Sequence, residues 1–259
     1  MKNLFAAGCS FTAGHWPAGN PPAHCTRPAK DFFTQEYKNY QITTRDHGDS
    51  AWPWLLQSEF NCVINAASAG GSMNRIFRNT LAFLDAVEYE LDDWIFVIQS
   101  TIANRTEYID SYNRHEWKKI NFSQLFNNDD HFAAPPRSWD YLVQLVDPVK
   151  QAYHQLQLIL SLTSILDNHN VKYVITGMSD TNYYPDVILQ NFGDTLYKDN
   201  KTLANLINTE NFILPTNHDS ILGQNDDSLL HDPCGHPNKE GHEIIAKYIL
   251  NELTNKGYM

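Results

Sequence analysis

Apolar, β-branched and aromatic residues gather in five short runs along this chain: 4–7, 62–66, 94–99, 171–176 and 212–214. Each is bounded by turn residues, and each is short enough to be a strand. Between the runs, apolar residues recur at helical spacing over 52–60, 74–89, 148–168, 202–208 and 239–254. Strands alternating with helices predict an α/β protein whose parallel sheet is covered on both faces. Ligands of such sheets bind at the carboxyl ends of strands, so the residues just after each run are where chemistry is expected.

Two segments interrupt the alternation. Residues 14–48 are rich in Pro, Gly, His and aromatics, and residues 105–146 mix polar groups with Tyr108, Tyr112, Trp117, Phe122, Phe126, Phe132, Trp139 and Tyr141. Both exceed ordinary connections, which suggests lids or substrate-facing insertions in a single domain spanning 1–259, with satellite cores as the alternative.

Composition narrows the class. With 259 residues, 42% hydrophobic and 19% charged, the chain can bury a substantial core, and it has no apolar run of membrane-spanning length. A net charge of -11, with 19 basic residues scattered along the sequence, argues against a nucleic-acid partner. The apolar stretch before Cys9 is far shorter than a signal peptide requires, which points to a cytoplasmic protein. The spacing of Cys9, Cys25, Cys62 and Cys234 implies no disulfide framework, so four reduced thiols are expected.

Three strand ends and one helix start carry candidate chemistry. The first run leads into Gly8-Cys9-Ser10-Phe11-Thr12, a Gly-containing turn able to lift Ser10 clear of the sheet edge. Cys9, facing the opposite way, reads as a small core residue. After the second run, Asn65-Ala66-Ala67-Ser68-Ala69-Gly70-Gly71-Ser72 enters a helix. Paired glycines there let backbone N–H groups approach a developing oxyanion, or else the segment is a tight turn capped by Ser72. The third run ends in Gln99-Ser100-Thr101, with Thr101 or Ser100 as a side-chain donor, while Arg105 and Glu107 read as a structural pair. Finally, Asp232-Pro233-Cys234-Gly235-His236-Pro237-Asn238, followed by Gly241-His242, sets a carboxylate close to an imidazole at a helix start. Pro237 suits the first turn of that helix, and His242 reads as packed beneath its start. The ligand-rich set His231, Asp232, Cys234, His236 and His242 also admits a metal site, but the His-Pro-Asn pattern speaks against one, and no metal or cofactor is expected.

With these four blocks in order, the chain resembles the SGNH hydrolases, also called the GDSL esterase/lipase superfamily. The resemblance spans essentially the whole chain and is most specific in the last block. It implies a flavodoxin-like three-layer α/β/α sandwich with a central, mainly parallel five-stranded sheet. It also implies a serine esterase in which Ser10 attacks an ester carbonyl, His236 takes its proton and Asp232 orients His236. The oxyanion would be held by the backbone N–H groups of Ser10 and Gly70 and by a side chain of the third block.

Two departures from the family pattern bear on activity. Thr101 stands where the family has an Asn, with Asn104 and Asn74 as alternatives, and Asp232 precedes His236 by four residues rather than three. Asp227 or a backbone carbonyl is the alternative orienter. The expected substrate is a small-molecule or glycan ester, such as an acetylated sugar or a short acyl ester. Two other functions fit the same residues: a catalytically weakened glycan-binding module, and an O-acyltransferase that uses the same serine.

Overall fold

The computed structural model describes residues 1–13, 51–67, 71–101, 105–110, 116–121, 148–178, 185, 188, 201–216 and 237–259, with side chains omitted at 10, 11, 88, 89, 105–110, 116–121, 148 and 149. Four parallel strands form the main sheet: β1 (Asn3–Ala7), β2 (Cys62–Asn65), β3 (Trp94–Ser100) and β6 (Lys172–Gly177), in the order β2-β1-β3-β6. Every residue of β2 and β3 is buried, as a parallel sheet covered on both faces requires.

Alternation along the strands feeds two cores. Phe5, Ala7, Ile64, Phe96, Ile98 and Tyr173 face α3 (Met73–Ala86) and α4 (Pro148–Asn168). Leu4, Ala6, Val63, Ile95, Val97 and Val174 face α2 (Trp52–Leu55) and α5 (Lys239–Asn255). The result is the expected three-layer α/β/α arrangement. On α3, Met73, Ile76, Thr80, Phe83 and Leu84 are buried, spaced as one helical stripe should be. Phe83 stacks on Phe5 at 4.3 Å and 11° and meets Trp94 edge-on at 4.7 Å and 80°. Phe83→Ala is therefore expected to cost about 3–5 kcal/mol, seen as a lower denaturant midpoint with an unchanged slope.

The expected fifth strand is reduced to a bridge. Phe212 pairs in parallel with Ile175; Ile175 donates to Asn211 O (2.9 Å) and Ile213 to Ile175 O (2.8 Å). The next donor due in a parallel ladder would be residue 215, which is a proline with no N–H. Thr216 N supplies the bond to Gly177 O instead, at 2.9 Å. The segment thus lies alongside β6, in the fifth position of a flavodoxin-like order.

Within the 105–146 insertion, residues 105–110 and 116–121 form an antiparallel pair, β4 (Arg105–Asp110) and β5 (Glu116–Asn121), that the sequence pattern does not announce. The rest of that insertion and the 14–48 insertion, expected as lids or substrate-facing segments, lie outside the described residues. The thiol expectation needs correction: Cys9 is free and buried, but Cys62 is disulfide-bonded, with its partner outside the described residues. Pairing depends on Cα atoms meeting in space, which spacing along the chain does not reveal. Among the described residues, no helix is long and apolar enough to cross a membrane.

Candidate active site

The chain passes from β1 to β2 on one side, then returns across β1 to β3 and continues outward to β6. The connections after β1 and after β3 lead to opposite sides of the pair, so the topological switch point, where sheets of this kind bind ligands, lies between the carboxyl ends of these two strands. Register decides what meets there. Ala7 lies opposite Ile98 and Gly8 sits beside Gln99, so the turn that carries Ser10 leaves the same end of the sheet at which Thr101 follows β3.

The Ser10 turn is built by close approach. Ser10 opens α1 (Ser10–Ala13), and Thr12 N and Ala13 N both donate to Cys9 O, at 3.1 and 2.9 Å. A Cβ on Gly8 would lie 2.1 Å from Thr12 Oγ1 and 3.1 Å from Gln99 Cβ, so only glycine fits. From β2, Asn65 Nδ2 donates to Thr12 O (3.0 Å), while Asn65 Oδ1 accepts from Ala67 N (3.1 Å). The Asn79 side-chain amide on α3 donates to Ala66 O (3.1 Å) and holds the start of the second loop from the helix side. Ser72 caps α3 by accepting from Arg75 N, so the capping expectation holds.

Thr101, one residue beyond β3, is fully buried, and its carbonyl accepts from Gln155 Nε2 of α4 at 2.8 Å. One residue before Gln155, the His154 ring Nε2 lies 2.9 Å from Asn74 Oδ1, joining α4 to the first turn of α3. Asn74 Oδ1 can only accept, so the His154 ring donates Nε2–H to it, and partial desolvation of the ring lowers its pKa.

The fourth block ends in a well-defined helix start. Asn238 caps α5 by accepting from Gly241 N at 2.9 Å. Pro237 lies one residue before this cap rather than in the first turn, because the Asn238 side chain takes the capping position. His242 is buried as expected, and its Nδ1 accepts from Trp52 N at 3.3 Å, which ties α5 to α2.

Of the predicted site residues, Ser10 opens the helix that follows β1, and Thr101 directly follows β3, the strand paired with β1. Gly70, Asn104, Asp232 and His236 lie outside the described residues, as does the remainder of the ligand-rich segment apart from His242. Sequence reasoning passed over Gln99, Thr12, Asn65 and Thr216, which hold the site from below. A Gln and a Thr inside or beside otherwise apolar strand runs were the available signal, since uncharged polar groups are buried only when partnered.

No known protein-family profile matches this chain, and neither does any curated protein. Among solved structures, it is similar to the psychrotrophic esterase EstA from Pseudoalteromonas sp., at 12% identity over 100% of both chains and a TM-score of 0.47. It is also similar to an α/β hydrolase enzyme from the metagenome of Lake Arreo, Spain, at 13% identity over 97% of this chain and 94% of that one, TM-score 0.46. A third is a catalytic mutant of Axe2, an acetylxylan esterase from Geobacillus stearothermophilus, at 13% identity over 97% and 94%, TM-score 0.43.

Proposed function

We propose that this protein is a serine esterase that hydrolyses a small ester, either an acetylated sugar or a short acyl ester. The observation that supports the reading is that β1 and β3 are parallel neighbours in register at the switch point of the sheet, so the turn after β1 and the segment after β3 leave the same end of the sheet. A ligand there meets the nucleophile-bearing turn and the third block together.

In this reading Ser10 Oγ adds to the ester carbonyl carbon while His236 accepts the hydroxyl proton. The resulting oxyanion is held by the N–H groups of Ser10 and Gly70 and by the Thr101 hydroxyl. The alkoxide leaves with the proton from His236, and water then releases the acid from the acyl-serine by the same steps in reverse. Asp232 keeps His236 in the tautomer that accepts at the serine.

An activated serine is phosphonylated by a fluorophosphonate, and an ester substrate competes for it. The purified protein is expected to hydrolyse a chromogenic acetyl ester and to gain one phosphonate on the peptide containing Ser10. Absence of both turnover and adduct overturns the esterase reading. Valine matches threonine in shape, so Thr101→Val tests the hydroxyl at this buried position. It is expected to lower kcat by about 10²-fold, at most ~3 kcal/mol, with KM little changed. An unchanged kcat moves the donor role to Asn104 or to the backbone alone.

A further inference from the structure

Gln99 is the one amide side chain in β3 (Trp94–Ser100), and it is completely buried. Its Oε1 accepts from Thr12 Oγ1 at 2.6 Å, with the Cys9 thiol 3.8 Å away, and its Nε2 donates to Thr216 Oγ1. The Thr216 hydroxyl in turn lies 3.3 Å from Gly177 O. These partners lie 87, 90 and 117 residues from Gln99 in sequence, so the amide ties the first block and the segment at Thr216 to β3.

The direction of the chain of bonds is fixed. Gly177 O can only accept, so the Thr216 hydroxyl donates to it and must receive its own bond from the Gln99 NH2 group. Gln99 therefore presents its oxygen to the first block, and the Thr12 hydroxyl must donate there. Cys9 and Thr12 flank Ser10 on both sides, so the turn that carries Ser10 is held against β3 by one side-chain amide. Asn65 holds the same turn from β2 through Thr12 O. At the other end, Thr216 begins the stretch of chain that leads to Asp232 and His236.

We infer that Gln99 is a positioning residue for ester hydrolysis: it sets the Ser10 turn in register with the edge segment at Thr216. This rests on the esterase reading above. Gln99 touches no reacting atom in this role; it acts through Cys9, Thr12 and Thr216. A displacement of about 1 Å at a nucleophile is enough to cost roughly 10²-fold in rate. The effect should fall on kcat and on acylation rather than on substrate binding.

The test uses Gln99→Met, which keeps side-chain length without the hydrogen bonds, and Gln99→Glu, which keeps the oxygen but loses the donor when ionised. Gln99→Met is expected to lower kcat on the acetyl ester and the rate of Ser10 phosphonylation together, by about 10²-fold, with KM within a factor of about two. A buried carboxyl has a raised pKa, and once protonated it can donate to Thr216 as the amide does. The ratio of Gln99→Glu to wild-type kcat should therefore rise as pH falls, and taking the ratio cancels the titration of His236. A merely structural role would not produce this rescue. Should Gln99→Met fail to fold, Thr216→Val removes the same link from its far end and is expected to lower the phosphonylation rate at least tenfold. If the wild type hydrolyses the ester and Gln99→Met or Thr216→Val matches it in kcat and phosphonylation rate, the positioning role is overturned and the esterase reading stands. A Gln99→Glu ratio that stays far below one at every pH also overturns it. A wild type that neither turns over nor reacts overturns both.

Discussion

Ser10→Ala is expected to lower kcat for a chromogenic acetyl ester by about 10⁶-fold, because removing a nucleophile abolishes the covalent route and leaves only binding and oxyanion stabilisation. The thermal midpoint should barely move. Alanine is well tolerated in a helix, and the bonds of Thr12 N and Ala13 N to Cys9 O do not involve the serine side chain. The neighbouring thiol sets the competing outcome. Cys9 is fully buried, with its sulfur directed at Gln99 Oε1 in the floor of the site, and a thiol held there is closed to a substrate above the sheet edge. If Ser10→Ala kept the wild-type rate and Cys9→Ala lost it, the nucleophile would be the cysteine. Steady-state kinetics on the two variants, with circular dichroism to verify folding, decides between them.

The layered fold is legible in the sequence because a parallel sheet buried on both faces leaves an unmistakable trace. β3 is seven consecutive buried residues, and α4 follows its apolar periodicity over its whole length. What the sequence conceals is whatever depends on pairing across space. β4 and β5 contain Arg105, Glu107, Asp110, Glu116, Lys118 and Lys119, so neither shows an apolar face; what defines them is mutual register, with Glu107 opposite Lys119. Backbone pairing of this kind requires no hydrophobic alternation along either strand. The Cys62 disulfide is hidden for the same reason.

The candidate site divides along the same line. The residue types in the four blocks are readable, and so is the expectation that they follow strand ends. Which strand ends are neighbours is not, because it follows from strand order: had β3 paired with β2 instead of β1, the carboxyl ends of β1 and β3 would sit two strands apart. The supporting amides are harder still to read. Gln99 and Asn65 look like ordinary polar punctuation until the structure shows each satisfying partners more than 50 residues away. Such groups specify one arrangement of the turn, since any other would leave a buried polar atom unpaired.

Asp232→Asn is expected to lower kcat by about 10⁴-fold with KM little changed, the second-largest effect proposed for this chain. The substitution preserves shape and removes only the charge, but an amide can turn an N–H toward the imidazole and favour the tautomer that cannot accept from the serine. The pH profile gives an independent sign. A carboxylate beside a histidine raises the imidazole pKa, so its removal should shift the acidic limb of the kcat profile to lower pH. Ser10 phosphonylation should slow in parallel, because it depends on the same base. The four-residue separation between Asp232 and His236 makes the control essential. Asp227→Asn is the comparison, expected to retain most of the rate. If the two results exchange, Asp227 is the orienter and the four-residue spacing keeps Asp232 from the imidazole; if neither variant slows hydrolysis, the ring is held by a backbone carbonyl, and the mechanism needs only Ser10 and His236.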